Sequence, residues 1–273
     1  MSLQLSAILI GDELLEGRVE DRNAATLGRT VASLDARLRE ARMVADDVSD
    51  IAAALDAVVE TADLVVVSGG LGPTGDDVTR EAAARWLDVP LELDSEVADE
   101  LKRTFEEHGF DFTDNNLRQC RFPRGARQLL SDIGTAPGFA VDADGTECFF
   151  FPGVPDEFEW YVEEYLVDRV ESRVGTSDRH ERTMTFVGIG ESDLETRIGD
   201  TVERAANAGA AFDFLPDAPR VHVRVTGPEA PVVAAREAVL VEIGDWLVTE
   251  GGRSIGERAG ALLRERDATV ATA

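Results

Sequence analysis

One segment joins a buried strand, a glycine-rich turn and a helix start, and it constrains the fold more than any other part of the chain. The apolar run Leu64 to Val67 predicts a buried parallel strand. Four glycines follow between residues 69 and 75, and the alanine-rich stretch 81–87 is a good helix former. In such a unit the glycines let the backbone approach an anion, and the first N–H groups of the helix have no intrahelical partner. The sequence therefore predicts an α/β fold with an anion site at this turn.

The polar residues of this turn are the first candidate site. The residues predicted to contact a phosphate are Gly69, Gly70, Gly72 and Thr74. The adjacent carboxylates Asp76 and Asp77 are the candidate catalytic residues, because carboxylates beside a phosphate imply a divalent cation between them. An Asp or Thr before a helix also serves as an ordinary N-cap, and that interpretation stays open here.

A second acidic turn follows the first predicted strand, Leu3 to Ile10. It reads Gly11-Asp12-Glu13 and falls at the same edge of the predicted sheet. The four carboxylates of the two turns cannot converge without a cation, because like charges repel. The predicted metal ligands are Asp12, Glu13, Asp76 and Asp77. A hard, oxygen-liganded ion such as Mg²⁺, or another divalent cation, is the expected cofactor.

Strands alternate with amphipathic helices along the first part of the chain, which predicts a doubly wound, mostly parallel sheet. We expect one helix face to carry Leu27, Val31, Leu34 and Leu38, and Ser49 to cap the next helix. Ligands of such sheets bind beyond the carboxyl ends of the strands. The predicted domains are 1–174 for the catalytic domain, 180–250 for a small α/β domain built strand–helix–strand–helix, and 251–273 for a helix–strand tail.

The amino-acid sequences of these motifs resemble those of a known family. The segment SGGLGPTGDDVTREA, residues 68–82, is similar to the signature of the molybdopterin-binding fold that molybdenum-cofactor biosynthesis proteins share with the competence/damage-inducible protein A (CinA-like) family. Leu71, Pro73 and the Asp76-Asp77 pair favour the second family. Further matching motifs lie at residues 11–17, 134–139, 151–157 and 188–192, so the resemblance spans roughly residues 3–250.

The resemblance implies a metal-dependent hydrolase that cleaves a nucleotide diphosphate linkage, with ADP-ribose giving AMP and ribose 5-phosphate. It places Asn116 near the ligand and agrees with a ligand role for Asn23, which could otherwise cap a helix. Gly153 precedes a helix start at Pro155, where N–H groups suit a phosphate. One alternative is a molybdopterin-binding, adenylylating protein of molybdenum-cofactor biosynthesis. Another is a noncatalytic nucleotide-binding module, because one fold hosts several functions.

The tail also resembles the start of another domain. Residues 268–273 are similar to the opening of the amidase domain that full-length family members carry, but the serine and glycine-rich motif of that domain do not follow. Deamidation of nicotinamide nucleotides is therefore not expected of these 273 residues.

The composition is strongly acidic. The formal net charge is −27, with 54 acidic against 27 basic residues, and Lys102 is the one lysine. Such a charge argues against binding to nucleic acid or to anionic membranes. Acids spread evenly along the chain are typical of proteins adapted to molar salt, where self-repulsion is screened. We therefore expect a halophilic cytoplasmic protein, a homo-oligomer, whose partner is a small-molecule nucleotide or pterin phosphate.

The cysteines and the apolar runs argue against a cysteine metal site, a membrane span and a signal peptide. Cys120 and Cys148 lack metal-ligand spacing and are expected to be free, buried thiols. No apolar run approaches the ~18 residues that a membrane span needs. The N-terminal apolar segment has no basic residues before it, so no signal peptide is expected.

Overall fold

The computed structural model describes residues 3–175, 179–251, 255–266 and 269. The chain divides into two compact units, Met1–Thr176 and Ser177–Ala273. Among the described residues, no helix is both long and apolar enough to cross a membrane.

The first unit alternates strands and helices along most of its length. Its elements are β1 (Gln4–Ile10), α1 (Asp12–Leu15), α2 (Asn23–Ser33), β2 (Arg37–Val44), α3 (Val48–Val59), β3 (Leu64–Ser68), α4 (Thr79–Trp86), β4 (Leu91–Leu93), α5 (Ser95–Glu107), α6 (Asp114–Gln119), β5 (Arg121–Pro123), β6 (Arg127–Leu129), β7 (Gly138–Ala143), β8 (Thr146–Phe151), α7 (Pro155–Tyr161), a π-helical turn (Val162–Leu166) and α8 (Val167–Val174).

Six of these strands form one mostly parallel sheet in the order β2-β1-β3-β8-β7-β6. The pairs β1–β2, β1–β3 and β3–β8 are parallel, and β7 runs antiparallel to both of its neighbours. One apolar cluster packs α3, α4 and α5 on one face, and another packs α2, α7 and α8 on the other. The predicted doubly wound α/β fold is confirmed.

Two local predictions are wrong. Helix α2 ends at Ser33, so Leu38 lies on β2 rather than on the helix face of Leu27 and Val31. Ser49 does not cap α3, because Asp47 is the N-cap and its carboxylate accepts the N–H groups of Ser49 and Asp50. Asp47 precedes the first helical residue, so its carboxylate reaches the free N–H groups of the first turn, whereas Ser49 already lies inside the helix.

The second unit is a small α/β domain with an antiparallel sheet. Its elements are β9 (Arg179–Val187), α9 (Glu191–Asn207), β10 (Ala211–Asp217), β11 (Arg220–Pro228), α10 (Glu229–Ile243), a 3₁₀ turn (Gly244–Trp246), β12 (Leu247–Glu250) and α11 (Ile255–Glu265).

This sheet has the order β10-β11-β9-β12, so the predicted strand–helix–strand–helix pattern lacked two strands, β10 and β12. Both are edge strands. β10 is largely exposed and includes Pro216 and Asp217, which weakens its strand signal. The predicted tail helix is present as α11, while the tail strand of residues 268–273 lies outside the described residues, except for residue 269, which is not in a strand.

Both cysteines are free and buried, as predicted. Burial raises the pKa of Cys120 to about 11 and that of Cys148 to about 12. Both therefore stay protonated near neutral pH, which makes them poor nucleophiles and poor metal ligands.

Halophilic behaviour is a prediction that the net charge of −27 makes testable. We expect the free energy of unfolding to fall as potassium chloride is lowered from molar to ~0.1 M, because self-repulsion then regains its range. Urea titrations at a series of salt concentrations measure this, and sucrose serves as the uncharged control. A urea midpoint that is flat across the salt series, or that sucrose raises as much as salt does, would contradict the prediction.

Candidate functional site

An open cavity of about 510 Å³ lies at the carboxyl edge of the parallel strands. Loops that follow β1, β2, β3 and β8 contribute to its wall. This is the edge at which ligands of doubly wound sheets bind, and the volume suits a ligand of nucleotide size.

The glycine turn (residues 69–77) forms one side of the cavity. Gly69 has φ +106°, and a Cβ atom there would overlap the carbonyl oxygen of Ile10, so only glycine fits. Thr79 stabilises the turn with two hydrogen bonds. Its hydroxyl donates to the Gly69 carbonyl at 2.8 Å, and its N–H donates to the Gly70 carbonyl at 3.2 Å. The N–H groups of Gly70 and Leu71 have no hydrogen-bond partner among the residues that the structure describes. They are available to an anion.

Asp77 folds back onto this turn. Its carboxylate accepts the N–H of Gly72 at 2.7 Å, the N–H of Thr74 at 2.8 Å and the Thr74 hydroxyl. A Cβ atom at Gly72 would come within 2.5 Å of Asp77 Oδ2, so the glycine makes room for the carboxylate. Thr74 donates to Asp77 and does not line the cavity, so its predicted phosphate contact stays a prediction.

Asp46 is an acidic wall residue that the sequence analysis missed. Its carboxylate accepts the Asp12 N–H at 2.9 Å, and its own N–H donates to Asp12 Oδ1 at 3.3 Å. Burial raises the pKa of Asp46. The negative charges of Asp12, Glu13 and Asp76 raise it further, against the lowering effect of the Asp12 N–H. Asp12 does not line the cavity, and its side chain joins the loops after β1 and β2.

The predicted four-carboxylate metal cluster is not assembled in this arrangement. Glu13, Asp76 and Asp77 line the cavity, whereas Asp12 does not. Within the described ranges, no group of three or more His, Cys, Asp or Glu residues is placed to hold a metal ion. The described cavity residues thus do not form a closed metal site. The metal-ligand assignment of these residues stays a prediction.

Asn23 and Gly153 are hydrogen-bonded neighbours in the cavity wall. The Asn23 side-chain amide donates to Ser68 Oγ at 2.9 Å and to the Gly153 carbonyl at 2.8 Å, which joins the loops after β3 and β8. Asn23 is not the N-cap of α2, which is Arg22, and the first N–H groups of the helix, those of Asn23 and Ala24, donate to the Asp21 carboxylate. Both Asn23 and Gly153 line the cavity, where a ligand role was predicted.

Asn116 is buried away from the cavity. Its Oδ1 accepts the N–H and the hydroxyl of Thr113 at the start of α6, so its role there is structural. Its amide nitrogen is 3.4 Å from Gln119 Oε1, and Gln119, which is 1% exposed, does line the cavity. Asn116 itself does not line the cavity, whereas Gln119, one helical turn further along α6, does, and the ligand role of Asn116 stays a prediction.

Arg80 supplies a buried positive charge behind the glycine turn. It is 3% exposed, and its guanidinium donates to the carbonyls of Leu71 and Pro137, both at 2.8 Å. The guanidinium also stacks on Phe122 at 5.6 Å from the ring centroid. Burial lowers the pKa of Arg80 to about 10, which leaves it charged at neutral pH. The turn that faces the acidic cavity is thus supported by a cation.

Sequence signals for the missed residues were uneven. Asp46 follows β2 and so lies at the same sheet edge as the predicted acids, which the alternation rule could have identified. Arg80 stands inside the motif itself, but an arginine in the first turn of a helix predicts an exposed charge. Its burial depends on Pro137, far away in sequence.

Comparison with known proteins agrees with the architecture of the two units. Residues 6–172 match the family model described as "Probable molybdopterin binding domain". Residues 181–243 match the "Damage-inducible protein CinA KH domain".

Similarity to individual relatives extends over the full chain. A "CinA-like protein" of Anaeromyxobacter sp. (strain Fw109-5) is 38% identical across 100% of this chain and 67% of its own length. Another, from Citrifermentans bemidjiense, is 34% identical across 99% of this chain and 66% of its own length. The chain thus spans about two thirds of the length of these curated relatives. The crystal structure of the protein CinA from Thermoplasma acidophilum is 32% identical, covers 63% of this chain and 98% of its own, and superposes with a TM-score of 0.56.

Proposed function

The chain belongs to the CinA-like protein family, and we propose that its first unit binds a phosphate-bearing pterin or nucleotide in the cavity at the sheet edge. The observation that carries this proposal is the glycine turn, which presents the N–H groups of Gly70 and Leu71 beside a cavity of about 510 Å³. Backbone N–H groups on a glycine turn bind phosphate without a side-chain cation, and Arg80 adds a positive charge behind them.

The first candidate ligand is molybdopterin. Residues 6–172 match a family model described as a probable molybdopterin-binding domain, and this match covers the cavity. Molybdopterin combines one phosphate with a flat heterocycle. The cavity offers a phosphate turn together with the apolar residues Leu14, Val19 and Val154, which suit the flat ring.

The second candidate is cleavage of ADP-ribose to AMP and ribose 5-phosphate, and the acidic wall favours it. Asp46 lies within electrostatic reach of Glu13 and Asp76, so a doubly charged phosphate linkage would meet repulsion there. A divalent cation would remove that repulsion and would supply Lewis-acid activation of the diphosphate. Mg²⁺ is commonly held by one or two carboxylates together with waters and substrate phosphates. Asp46 and Asp76 are the residues of this cavity that fit such a role.

Binding measurements on the full chain test the proposal. We expect molybdopterin, handled anaerobically, to bind in high salt by isothermal titration calorimetry, and we expect ADP-ribose to bind only when Mg²⁺ is present. Chromatography of the ADP-ribose mixture then shows whether AMP forms and whether EDTA stops it. Binding of neither ligand would contradict the proposed function, and AMP formation without molybdopterin binding would select the second candidate.

The variant Gly72→Ala links the binding to the turn. Its Cβ atom would displace the Asp77 carboxylate, and we expect ligand affinity to fall by about tenfold or more, as loss of a charge-assisted hydrogen bond implies. Gly75→Ala is the matched control, because a Cβ atom there meets nothing within 4 Å. Equal affinities in the two variants would mean that the turn does not bind the ligand.

A further inference from the structure

Two residues that line the cavity each carry a buried side-chain oxygen with no hydrogen-bond partner among the described residues. These oxygens are Asn23 Oδ1 and Glu157 Oε2. Asn23 is 6% exposed, and its amide nitrogen is committed to Ser68 and to the carbonyl of Gly153. A flipped amide would set oxygen against the Gly153 carbonyl, so Oδ1 is the atom left without a donor. Buried acceptors are almost always satisfied, and a binding site is where a ligand completes them.

Glu157 is held in place by close packing rather than by an ion pair. It lies in the first turn of α7, and a Cβ atom at Gly134 would overlap its carboxylate. No arginine or lysine of the described residues forms a salt bridge with it. Burial raises the pKa of Glu157, in keeping with a carboxylate that has lost water without gaining a donor.

We propose that Glu157 and Asn23 form a subsite that recognises a ligand edge with neighbouring O–H or N–H donors. A carboxylate accepts two parallel donors side by side, and an amide oxygen accepts a further one. A vicinal diol of a sugar and the amino–imino edge of a pterin both present donors in this way. The proposal rests on the proposed function, because it assigns the non-phosphate end of the same ligand.

The subsite predicts which ligands are rejected. A site built to accept hydrogen bonds disfavours an analogue that lacks the donors, because the buried acceptors then stay unpaired. We expect ribose 5-phosphate to bind about tenfold or more tightly than its 2,3-dideoxy analogue if the sugar is the source. If the pterin is the source, a pterin phosphate should bind more tightly than the matching lumazine phosphate by a similar factor. In lumazine an oxo group replaces the amino group.

Three variants test the assignment. Glu157→Gln replaces one acceptor by a donor, and Gly134→Ala displaces the carboxylate without changing it. Glu159→Gln, an exposed glutamate on the same helix, is the control. For the ligand pair that the wild-type protein discriminates, we expect Glu157→Gln and Gly134→Ala to bring the ratio of the two affinities close to one. Glu159→Gln should keep the wild-type ratio. Inorganic diphosphate, which has no donor edge, should bind all four proteins equally.

The outcomes separate this inference from the proposed function. If diphosphate binds and Glu157→Gln keeps the wild-type ratio for both ligand pairs, the subsite is wrong while the phosphate site stands. If both ratios are near one in the wild-type protein, the subsite is wrong in the same way. If neither diphosphate nor any of the four phosphates binds, the proposed function is wrong and the subsite falls with it.

Discussion

Replacing Arg80 with alanine is expected to lower the melting temperature of the first unit by roughly 10 °C. The change removes two charge-assisted hydrogen bonds, to the carbonyls of Leu71 and Pro137, and leaves both oxygens buried. Such bonds contribute about 1.5–3 kcal/mol each. A unit of this size shifts by about 2–4 °C per kcal/mol. Differential scanning calorimetry measures the shift.

Arg85→Ala is the matched control for this prediction. Arg85 lies on the same helix, is exposed and donates one hydrogen bond to Ser49 Oγ. Its loss is expected to cost less than about 1 kcal/mol. Arg80→Lys should fall between the two, because a single ammonium cannot reproduce the planar pair of donors. Equal melting temperatures for Arg80→Ala and Arg85→Ala would mean that Arg80 does not hold the turn.

The second large effect is expected for Asp77→Ala, which should weaken ligand binding by about tenfold or more. Asp77 orders the turn by accepting N–H groups of Gly72 and Thr74. A charge-assisted hydrogen bond contributes about 1.5–3 kcal/mol. Each loss of about 1.4 kcal/mol lowers the affinity tenfold. Hydrogen exchange at Gly72 and Thr74 should accelerate, while exchange in the core strand β3 should not.

The metal dependence of that loss separates the two roles of Asp77. If Asp77 orders the turn, the variant loses affinity for molybdopterin with Mg²⁺ and with EDTA alike. If it is a metal ligand, as the sequence predicted, the loss appears only with Mg²⁺. Asp99→Ala is the control, because Asp99 is an exposed acid on α5 that does not line the cavity and accepts neither of these two N–H groups. Unchanged affinity and unchanged exchange in Asp77→Ala would contradict both roles.

The sheet and the position of the cavity were predictable from the sequence, because both follow from local patterns. The buried run 64–67 and the glycines after it define a strand and its turn without reference to distant residues. The Asp144-Gly145 turn between β7 and β8 is likewise local, since both residues have positive φ. In the second unit the sequence did not predict the two edge strands, because the pairing of an edge strand is set by its neighbours rather than by its own residues.

The details of the site were less predictable, because they depend on which loops meet. Asn23 and Gly153 line the cavity as expected, but Thr74 and Asn116 use their polar atoms within their own turns. Short polar side chains compete for nearby backbone groups in this way.

Asp46 is held in the cavity wall by its hydrogen bonds with Asp12, and these require β2 to lie beside β1. The metal and the homo-oligomer stay predictions.

The close backbone contacts between the cavity loops affect how ligand preference can change. Backbone there packs on backbone, since Gly69 lies against the carbonyl of Ile10 and a Cβ atom at Gly153 would come within 3.2 Å of the Gly69 Cα. Only glycine fits at position 69, so substitution has little to vary at this point. The rim differs, because Val19 and Val154 line the cavity while 52% and 55% exposed. Directed evolution toward new ligands should therefore accumulate exchanges at the rim and leave the phosphate end untouched.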